Sequence, residues 1–293
     1  MEALIQTRQI CHALALQLLL VIPAYADSPV WKIEKDNSQM FIGGTMHVLT
    51  SEDYPLPVSF ETAYQKSSRL IFETDMASMK SPQFQQYMLA KLSYRDGRSL
   101  RQVLHEDTYR ALTEFFSNRG VSMTSVDHFK PGMVATLMTM TELQRLGLNG
   151  VGVDSYLNQR ADSEQKAKGQ LETAEDQIGF IANMGVGQED EMLASNLADM
   201  ERLPALWQVM KQAWRSGDLR TLEKVSAAPL RDDFPEVYKA LLVDRNNAWM
   251  PQIEVMSATA EIEFVLVGAL HLVGDDGLLA MLTRRGYKIT QLP

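Results

Sequence analysis

Cysteine is almost absent from this sequence, and the only one, Cys11, lies close to the N-terminus. In the same segment Arg8 precedes a mostly apolar run, which Ala24-Tyr25-Ala26 closes with the A-x-A pattern of a cleavage site. We therefore expect a secretory signal peptide over residues 1–26, cleavage after Ala26, and a periplasmic or secreted mature chain without a thiol. Disulfides, cysteine nucleophiles and thiolate metal ligands are then excluded.

Long apolar runs and basic clusters are scarce too. Beyond the N-terminal segment no stretch approaches the roughly 18 consecutive apolar residues of a membrane span, so we expect no membrane span in the mature chain. The formal net charge is −9, and no Lys/Arg cluster occurs, which argues against a nucleic-acid partner. The sequence also lacks an H-E-x-x-H helix, a G-x-S-x-G nucleophile elbow and a phosphate-binding loop.

Two stretches of the chain repeat one pattern, an apolar run that ends in G-x-x-H. The first leads from Met40 to His47 and the second from Phe264 to His271. A short apolar run bounded by glycine is typical of a strand buried on both faces, and ligands of open α/β sheets bind at the carboxyl ends of the strands. We therefore predict that His47 and His271 share one site.

Four further strands are predicted besides the two G-x-x-H runs. They lie at 30–34, 69–75, 168–172 and 287–291. Helical spacing of apolar residues dominates the segments between them. The predicted fold is α/β (α+β), with a central mixed, largely parallel sheet. We expect a single domain over residues 27–293, with a helical insertion at about 78–165 that caps the carboxyl ends of the strands.

Two helical segments carry informative side chains. Residues 132–146 are rich in methionine, including Met138 and Met140, and we interpret these methionines as core packing rather than as a ligand-facing groove. In the segment 235–256, Asn246 falls on one stripe with apolar residues. It should point inward, where a buried amide requires hydrogen-bond partners.

Acidic side chains stand at the predicted strand and loop ends, namely Glu73, Asp154 and Glu172. In a thiol-free protein, imidazole and carboxylate are the usual ligands of a catalytic divalent metal, and two histidines with one glutamate are an established set. We predict that His47, His271 and Glu73 bind manganese, cobalt or zinc, which this ligand set does not distinguish. A metal-bound water with a pKa of roughly 7 would then support hydrolysis.

Each acidic candidate also has a structural interpretation. Glu73 can form a strand-end salt bridge, and Glu172 can place negative charge at a helix N-terminus, which is the interpretation we favour for Glu172. Arg245, beside Asn246, is positioned to clamp a carboxylate of the protein or of a substrate. We favour the internal salt bridge slightly.

Seven short blocks in this order make the chain resemble the TraB/GumN family over nearly the whole mature chain. The blocks are Gly44-Thr45-Met46-His47, Phe72-Glu73-Thr74-Asp75, Lys130-Pro131, Gly152-Val153-Asp154, Leu171-Glu172-Thr173-Ala174-Glu175-Asp176-Gln177, Leu242-Val243-Asp244-Arg245-Asn246 and Gly268-Ala269-Leu270-His271-Leu272-Val273-Gly274.

The resemblance implies an active site of His47, Glu73 and His271, with the supporting residues Arg245, Asn246 and Glu172 nearby. The animal relatives, the Tiki proteins, act as metal-dependent proteases, so the resemblance also implies this activity. A more distant similarity to the erythromycin esterase and ChaN group implies metal-free hydrolysis or haem binding instead.

The leading hypothesis is an exported metal-dependent hydrolase of the peptidase type that acts on a peptide or small-molecule substrate. His47 and His271 would bind the ion, and Glu73 would be either the third ligand or the base that accepts a proton from water. The first alternative is a metal-free hydrolase in which a histidine and Glu73 activate water. The second is a non-catalytic protein that holds haem or another ligand.

Overall fold

A computed structural model describes residues 28–293. The predicted signal peptide and the predicted cleavage after Ala26 lie outside the described residues. The strands are β1 (Val30–Lys35), β2 (Ser38–Thr45), β3 (Arg69–Phe72), β4 (Ala167–Gln170), β5 (Glu263–Gly268) and β6 (Lys288–Gln291).

Most of the helices lie in two long runs, one between β3 and β4 and the other between β4 and β5. They are α1 (Val58–Lys66), α2 (Pro82–Leu92), α3 (Leu100–Val103), α4 (Glu106–Ser117), α5 (Met123–Val126), α6 (Pro131–Arg145), α7 (Val153–Ser163), α8 (Ala174–Asn183), α9 (Glu189–Ser216), α10 (Leu219–Leu222), α11 (Ala228–Asp233), α12 (Pro235–Tyr238), α13 (Asp244–Ser257) and α14 (Leu278–Arg284). A π-helical turn, Lys239–Val243, joins α12 to α13, and a 3-10 turn, Ala269–Leu272, follows β5.

The strands form one mixed sheet in the order β4-β3-β5-β2-β1-β6. Strands β4, β3, β5 and β2 run parallel, whereas β1 pairs antiparallel with both β2 and β6. The predicted class, a mixed and largely parallel α/β sheet, is therefore confirmed. In this order the carboxyl ends of β3, β5 and β2, which precede Glu73, His271 and His47, lie side by side.

Apolar residues bury both faces of the central strands. On one face Phe41 and Phe264 pack edge to face, with ring centroids 6.4 Å apart, in a cluster that includes Trp214 of α9. On the other face Val265 packs in a cluster with Trp249 of α13. Because neighbouring residues of a strand point to opposite faces, the uninterrupted apolar runs read from the sequence correspond to strands covered on both sides.

Helices fill the two long connections of the sheet. The segment between β3 and β4 contains α2 to α7, and the segment between β4 and β5 contains α8 to α13. Within residues 28–293, none of the helices combines the length and the apolar composition needed to cross a membrane. That residues 27–293 form a single domain with an insertion at about 78–165 stays a prediction.

The third apolar cluster lies among the helices and tests the interpretation of the methionines. Met138 of α6 is fully buried in this cluster, together with residues of α4 and α9. Met140 is 46% exposed and lines a cavity instead. The core-packing interpretation therefore holds for Met138 and is wrong for Met140, because the two side chains point to different sides of the helix.

Candidate active site

The three side chains predicted as metal ligands converge on Gly268, the last residue of β5. A Cβ atom placed on Gly268 would lie 3.3 Å from Oε1 of Glu73, 3.7 Å from Cδ2 of His271 and 3.7 Å from Nε2 of His47. These groups come from the ends of three adjacent parallel strands. The glycine therefore leaves a space that His47, Glu73 and His271 share.

His271 is buried, and its hydrogen bonds fix the position of its proton. The Asn246 Nδ2 group donates to the backbone oxygens of His271 (3.1 Å) and Asp276 (2.8 Å), so its Oδ1 atom accepts from Nδ1 of His271 (2.7 Å). The lone pair of His271 Nε2 then faces Nη1 of Arg245, 3.0 Å away. Burial is the main reason why the pKa of His271 falls to about 3, so the ring is neutral at neutral pH.

Glu73 is held by both of its oxygens. Its Oε1 atom accepts from the Gly268 N–H (2.6 Å), and its Oε2 atom accepts from Nη2 of Arg245 (2.5 Å). Burial by itself would raise the pKa of Glu73, but His271, Arg245, His47 and the Gly268 amide outweigh it and lower the pKa to about 2. Glu73 is therefore an ionised carboxylate in a fixed orientation.

Arg245 connects the carboxylates of two strand ends. Besides Glu73, its Nη2 and Nε atoms donate to Glu172 at 2.7 and 3.0 Å, and its guanidinium lies 4.7 Å from the ring centroid of Trp249. Trp249 also donates to Glu172 from its indole nitrogen at 3.1 Å. This is the internal salt bridge that the sequence favoured for Arg245.

The favoured interpretation of Glu172 needs correction. The side chains of Thr173 and Asp176 cap the N-terminus of α8 reciprocally, so the helix does not depend on Glu172 for its charge. Glu172 instead pairs with Arg245, while burial raises its pKa. Local sequence patterns do not predict this pairing, because the two partners are 73 residues apart.

His47 differs from His271 in its exposure and its protonation. Its side chain is 67% exposed, and Nδ1 lies 2.9 Å from Oδ2 of Asp154. The negative charge of Asp154 and this hydrogen bond raise the pKa of His47 to about 9. Nε2 is the nitrogen that faces the space at Gly268. Sequence reasoning noted Asp154 as an acid at a loop tip but did not pair it with His47.

A close backbone contact explains how Asp154 reaches His47. Gly152 precedes α7, and a Cβ atom at this position would lie 2.2 Å from the backbone oxygen of His47. The Val153 N–H donates to the Met46 oxygen at 3.0 Å. Only glycine permits this approach, so the block Gly152-Val153-Asp154 was the sequence signal for the contact.

The converging side chains form one wall of a cavity of about 330 Å³. Most of the other lining residues are apolar and come from α6, α9, the π-helical turn and the 3-10 turn after β5. They include Met140, Leu143, Trp207, Met210, Leu241 and Leu270. The cavity joins a polar wall to an apolar chamber, as in many small-molecule sites.

The residue types fit a divalent cation, but Arg245 occupies part of their space. Each imidazole is held at Nδ1 by a polar side chain and presents Nε2, which is the usual arrangement of metal-binding histidines. However, Nη1 of Arg245 is hydrogen-bonded to His271 Nε2, and His47 carries a proton. Within residues 28–293, no three His, Asp or Glu side chains stand together at metal-binding spacing.

The chain is similar to a known protein family and to proteins of two bacteria. The sequence model described as the TraB/PrgY/gumN family matches residues 29–291. The chain is 25% identical over 253 residues to the uncharacterized protein YbaP of Escherichia coli (strain K12), covering 84% of this chain and 88% of YbaP. The YbaP protein of Shigella flexneri matches with the same identity and coverage.

A relative with a stated activity is more distant. The chain is 22% identical over 325 residues to the metalloprotease TIKI1 of Xenopus tropicalis, covering 91% of this chain and 62% of TIKI1. No solved structure is significantly similar to the chain. The family match covers nearly all described residues and confirms the resemblance inferred from the seven blocks. The chain therefore belongs to the TraB/PrgY/gumN family.

Proposed function

We propose that this protein is an exported, metal-dependent hydrolase that cleaves a peptide-like bond. The observation that carries the proposal is the convergence of two imidazoles and one carboxylate on Gly268, at the wall of an open apolar cavity. The similarity to metalloprotease TIKI1 adds support for the reaction class.

His47, Glu73 and His271 are the residues that would hold the divalent ion, manganese, cobalt or zinc. When bound, such an ion supplies Lewis-acid activation of water or of a substrate carbonyl. Asp154 and Asn246 hold the two imidazoles at Nδ1. The Nε2 atom of His47 faces the space at Gly268, whereas the Nε2 atom of His271 lies 3.0 Å from Nη1 of Arg245 and 3.9 Å from Oε1 of Glu73. For His271 to act as a ligand, the hydrogen bond between Arg245 Nη1 and His271 Nε2 must break. The hydrogen bond from Arg245 Nε to Glu172 would still hold the guanidinium in place.

Glu73 is better suited to bind a cation than to act as a base. An efficient general base has a pKa near the working pH, whereas the pKa of Glu73 is lowered to about 2. At neutral pH, a carboxylate with this pKa accepts a proton poorly. We therefore assign it the role of ligand.

A second candidate function is metal-free hydrolysis. It is favoured by the hydrogen bonds that Arg245 makes to both Glu73 and His271, which use the atoms that a metal would need. In this mechanism, His47, oriented by Asp154, would accept a proton from water after losing its own proton, and Arg245 would stabilise negative charge on the substrate.

Elemental analysis of protein purified without chelator, combined with turnover of a broad peptide library, tests the proposal. We expect His47→Ala and His271→Ala to abolish both metal content and turnover. His105→Ala is the matched control, because His105 is an exposed histidine paired with Asp190 outside the site. Metal content and turnover that persist in both site variants would overturn the proposal. Turnover without metal, lost in both variants, would favour the second candidate, and a haem absorbance band would favour a binding protein.

A further inference from the structure

One face of a long helix contributes three side chains to the apolar chamber of the cavity. Trp207, Met210 and Trp214 of α9 are spaced by three and four residues, so their side chains lie on the same face, and all three line the cavity. The Trp214 indole nitrogen donates to the backbone oxygen of Gly44 at 2.8 Å. This hydrogen bond fixes the apolar stripe of α9 over the first G-x-x-H segment.

Further apolar lining residues come from α6 and from the π-helical turn. Leu143 is buried and Met140 is 46% exposed, and both come from α6. Leu241 and Leu242 of the π-helical turn also line the cavity. The volume of about 330 Å³ lies at the lower end of the range for pockets that enclose small ligands. It suits one large side chain with its adjoining amide groups rather than an extended ligand.

The charges that face the chamber are already paired. Among the described residues that line it, His47 pairs with Asp154, and Glu73 pairs with Arg245. A lysine or glutamate side chain of a ligand would therefore lose its hydration without gaining a partner of opposite charge, which is costly. A leucine, methionine or phenylalanine side chain would lose only its contact with water, which is favourable.

We infer that this chamber is a specificity pocket that receives a large neutral, apolar side chain beside the bond that the protein cleaves. The inference rests on the proposed function for the position of that bond. The occupation of the chamber itself depends only on the apolar walls and the paired charges.

Binding of blocked amino acids tests the chamber without requiring turnover. The probes are the N-acetyl amides of leucine, methionine, phenylalanine, lysine and glutamate, followed by the fluorescence of Trp207 and Trp214, which line the cavity. We expect the apolar probes to bind at least about tenfold more tightly than the charged probes.

Two adjacent residues of α9 offer a matched pair of variants. Met210→Glu introduces a charge into the cavity wall, whereas Val209→Glu introduces the same charge at a 42% exposed neighbour that does not line the cavity. We expect Met210→Glu to weaken binding of the leucine probe about tenfold or more and Val209→Glu to leave it unchanged. If Met210→Glu unfolds, Met140→Glu at a partly exposed lining residue serves the same test.

The outcomes separate this inference from the proposed function. Equal binding of apolar and charged probes, or equal effects of Met210→Glu and Val209→Glu, would overturn the inference. Selective binding without any peptide hydrolysis would support the pocket and contradict the hydrolase. Hydrolysis without preference for apolar residues beside the cleaved bond would support the hydrolase and overturn the pocket.

Discussion

Asn246 sets the protonation pattern of the buried histidine. It donates to two backbone oxygens and accepts from His271 Nδ1, so it determines which imidazole nitrogen faces Glu73 and Arg245. A single amide thereby fixes the neutral His271 ring, with the Nε2 lone pair directed at Nη1 of Arg245.

Asn246→Ala should reduce the free energy of unfolding by about 1–3 kcal/mol, because it leaves buried polar atoms without partners. Urea denaturation measures this loss. The control is Asn247→Ala, in which the neighbouring and exposed asparagine is changed, and we expect an effect within about 0.5 kcal/mol. Similar losses in both variants would contradict the assigned hydrogen bonds.

Asp154 is the residue that keeps His47 protonated at neutral pH. Its negative charge and its hydrogen bond raise the pKa of His47 to about 9. Stabilisation of the folded state by this pair is therefore complete below the ordinary histidine pKa of 6.5 and is lost as the pH rises through about 9.

Asp154→Asn should lower the pKa of His47 from about 9 towards its ordinary value of 6.5, because the neutral amide no longer stabilises the imidazolium. NMR titration of the histidine ring protons measures this change. The stability of the variant should also lose the pH dependence described above between neutral and alkaline pH. A His47 pKa that stays near 9 would show that another group holds the proton.

At the scale of the elements, the N-terminus of α7 is part of the site. Gly152 brings this helix against the turn that carries His47, with no space for a Cβ atom beside the His47 carbonyl. The contact is made by backbone atoms, and its effect is to place Asp154 next to the imidazole. A helix of the segment between β3 and β4 therefore takes part in the site at the sheet edge.

Gly152→Ala should destabilise the protein by about 1–3 kcal/mol, as overpacking does in buried positions, and should separate Asp154 from His47. Thermal unfolding measures the loss of stability, and the NMR signal of His47 reports its separation from Asp154. The matched control is Gly179→Ala in α8, where a Cβ atom would meet nothing within 4 Å. There we expect a gain of about 0.5–1 kcal/mol from the better helix propensity of alanine. A neutral Gly152→Ala variant would contradict the packing described.

At the scale of the whole molecule, strand order creates the site. The sheet places β5 between β3 and β2, and so joins residues that are far apart in sequence, such as Glu73 and Gly268, which are separated by 195 positions. A metal at this junction would bind the folded chain and not the unfolded chain. Its binding energy should therefore appear as global stability.

A divalent ion at about 100 times its dissociation constant should raise the free energy of unfolding by about 2.7 kcal/mol. Manganese, cobalt and zinc should be compared by thermal unfolding, with and without a chelator. The variant that combines His47→Ala and His271→Ala should not respond, whereas His105→Ala should respond like the unchanged chain. Equal responses of all three proteins would place metal binding elsewhere.

The sequence by itself determined the elements and the buried faces of this protein. Apolar runs ending in G-x-x-H predicted two central strands, and the stripe through Asn246 predicted its inward orientation, which its burial confirms. Such patterns are local, because a strand or helix repeats its orientation every few residues. Local periodicity therefore indicates which side of an element is covered, and it placed Asn246 correctly but not Met140.

Only the tertiary structure decided which polar groups meet. In the folded chain, Asp154 pairs with His47, and Glu172 pairs with Arg245 instead of serving a helix N-terminus. Met140 lines the cavity instead of packing in the core. These contacts depend on strand order and on the close approach of backbones at glycine, which local periodicity does not encode. Ion pairs and cavities arise between elements, so their partners are set by how the elements pack.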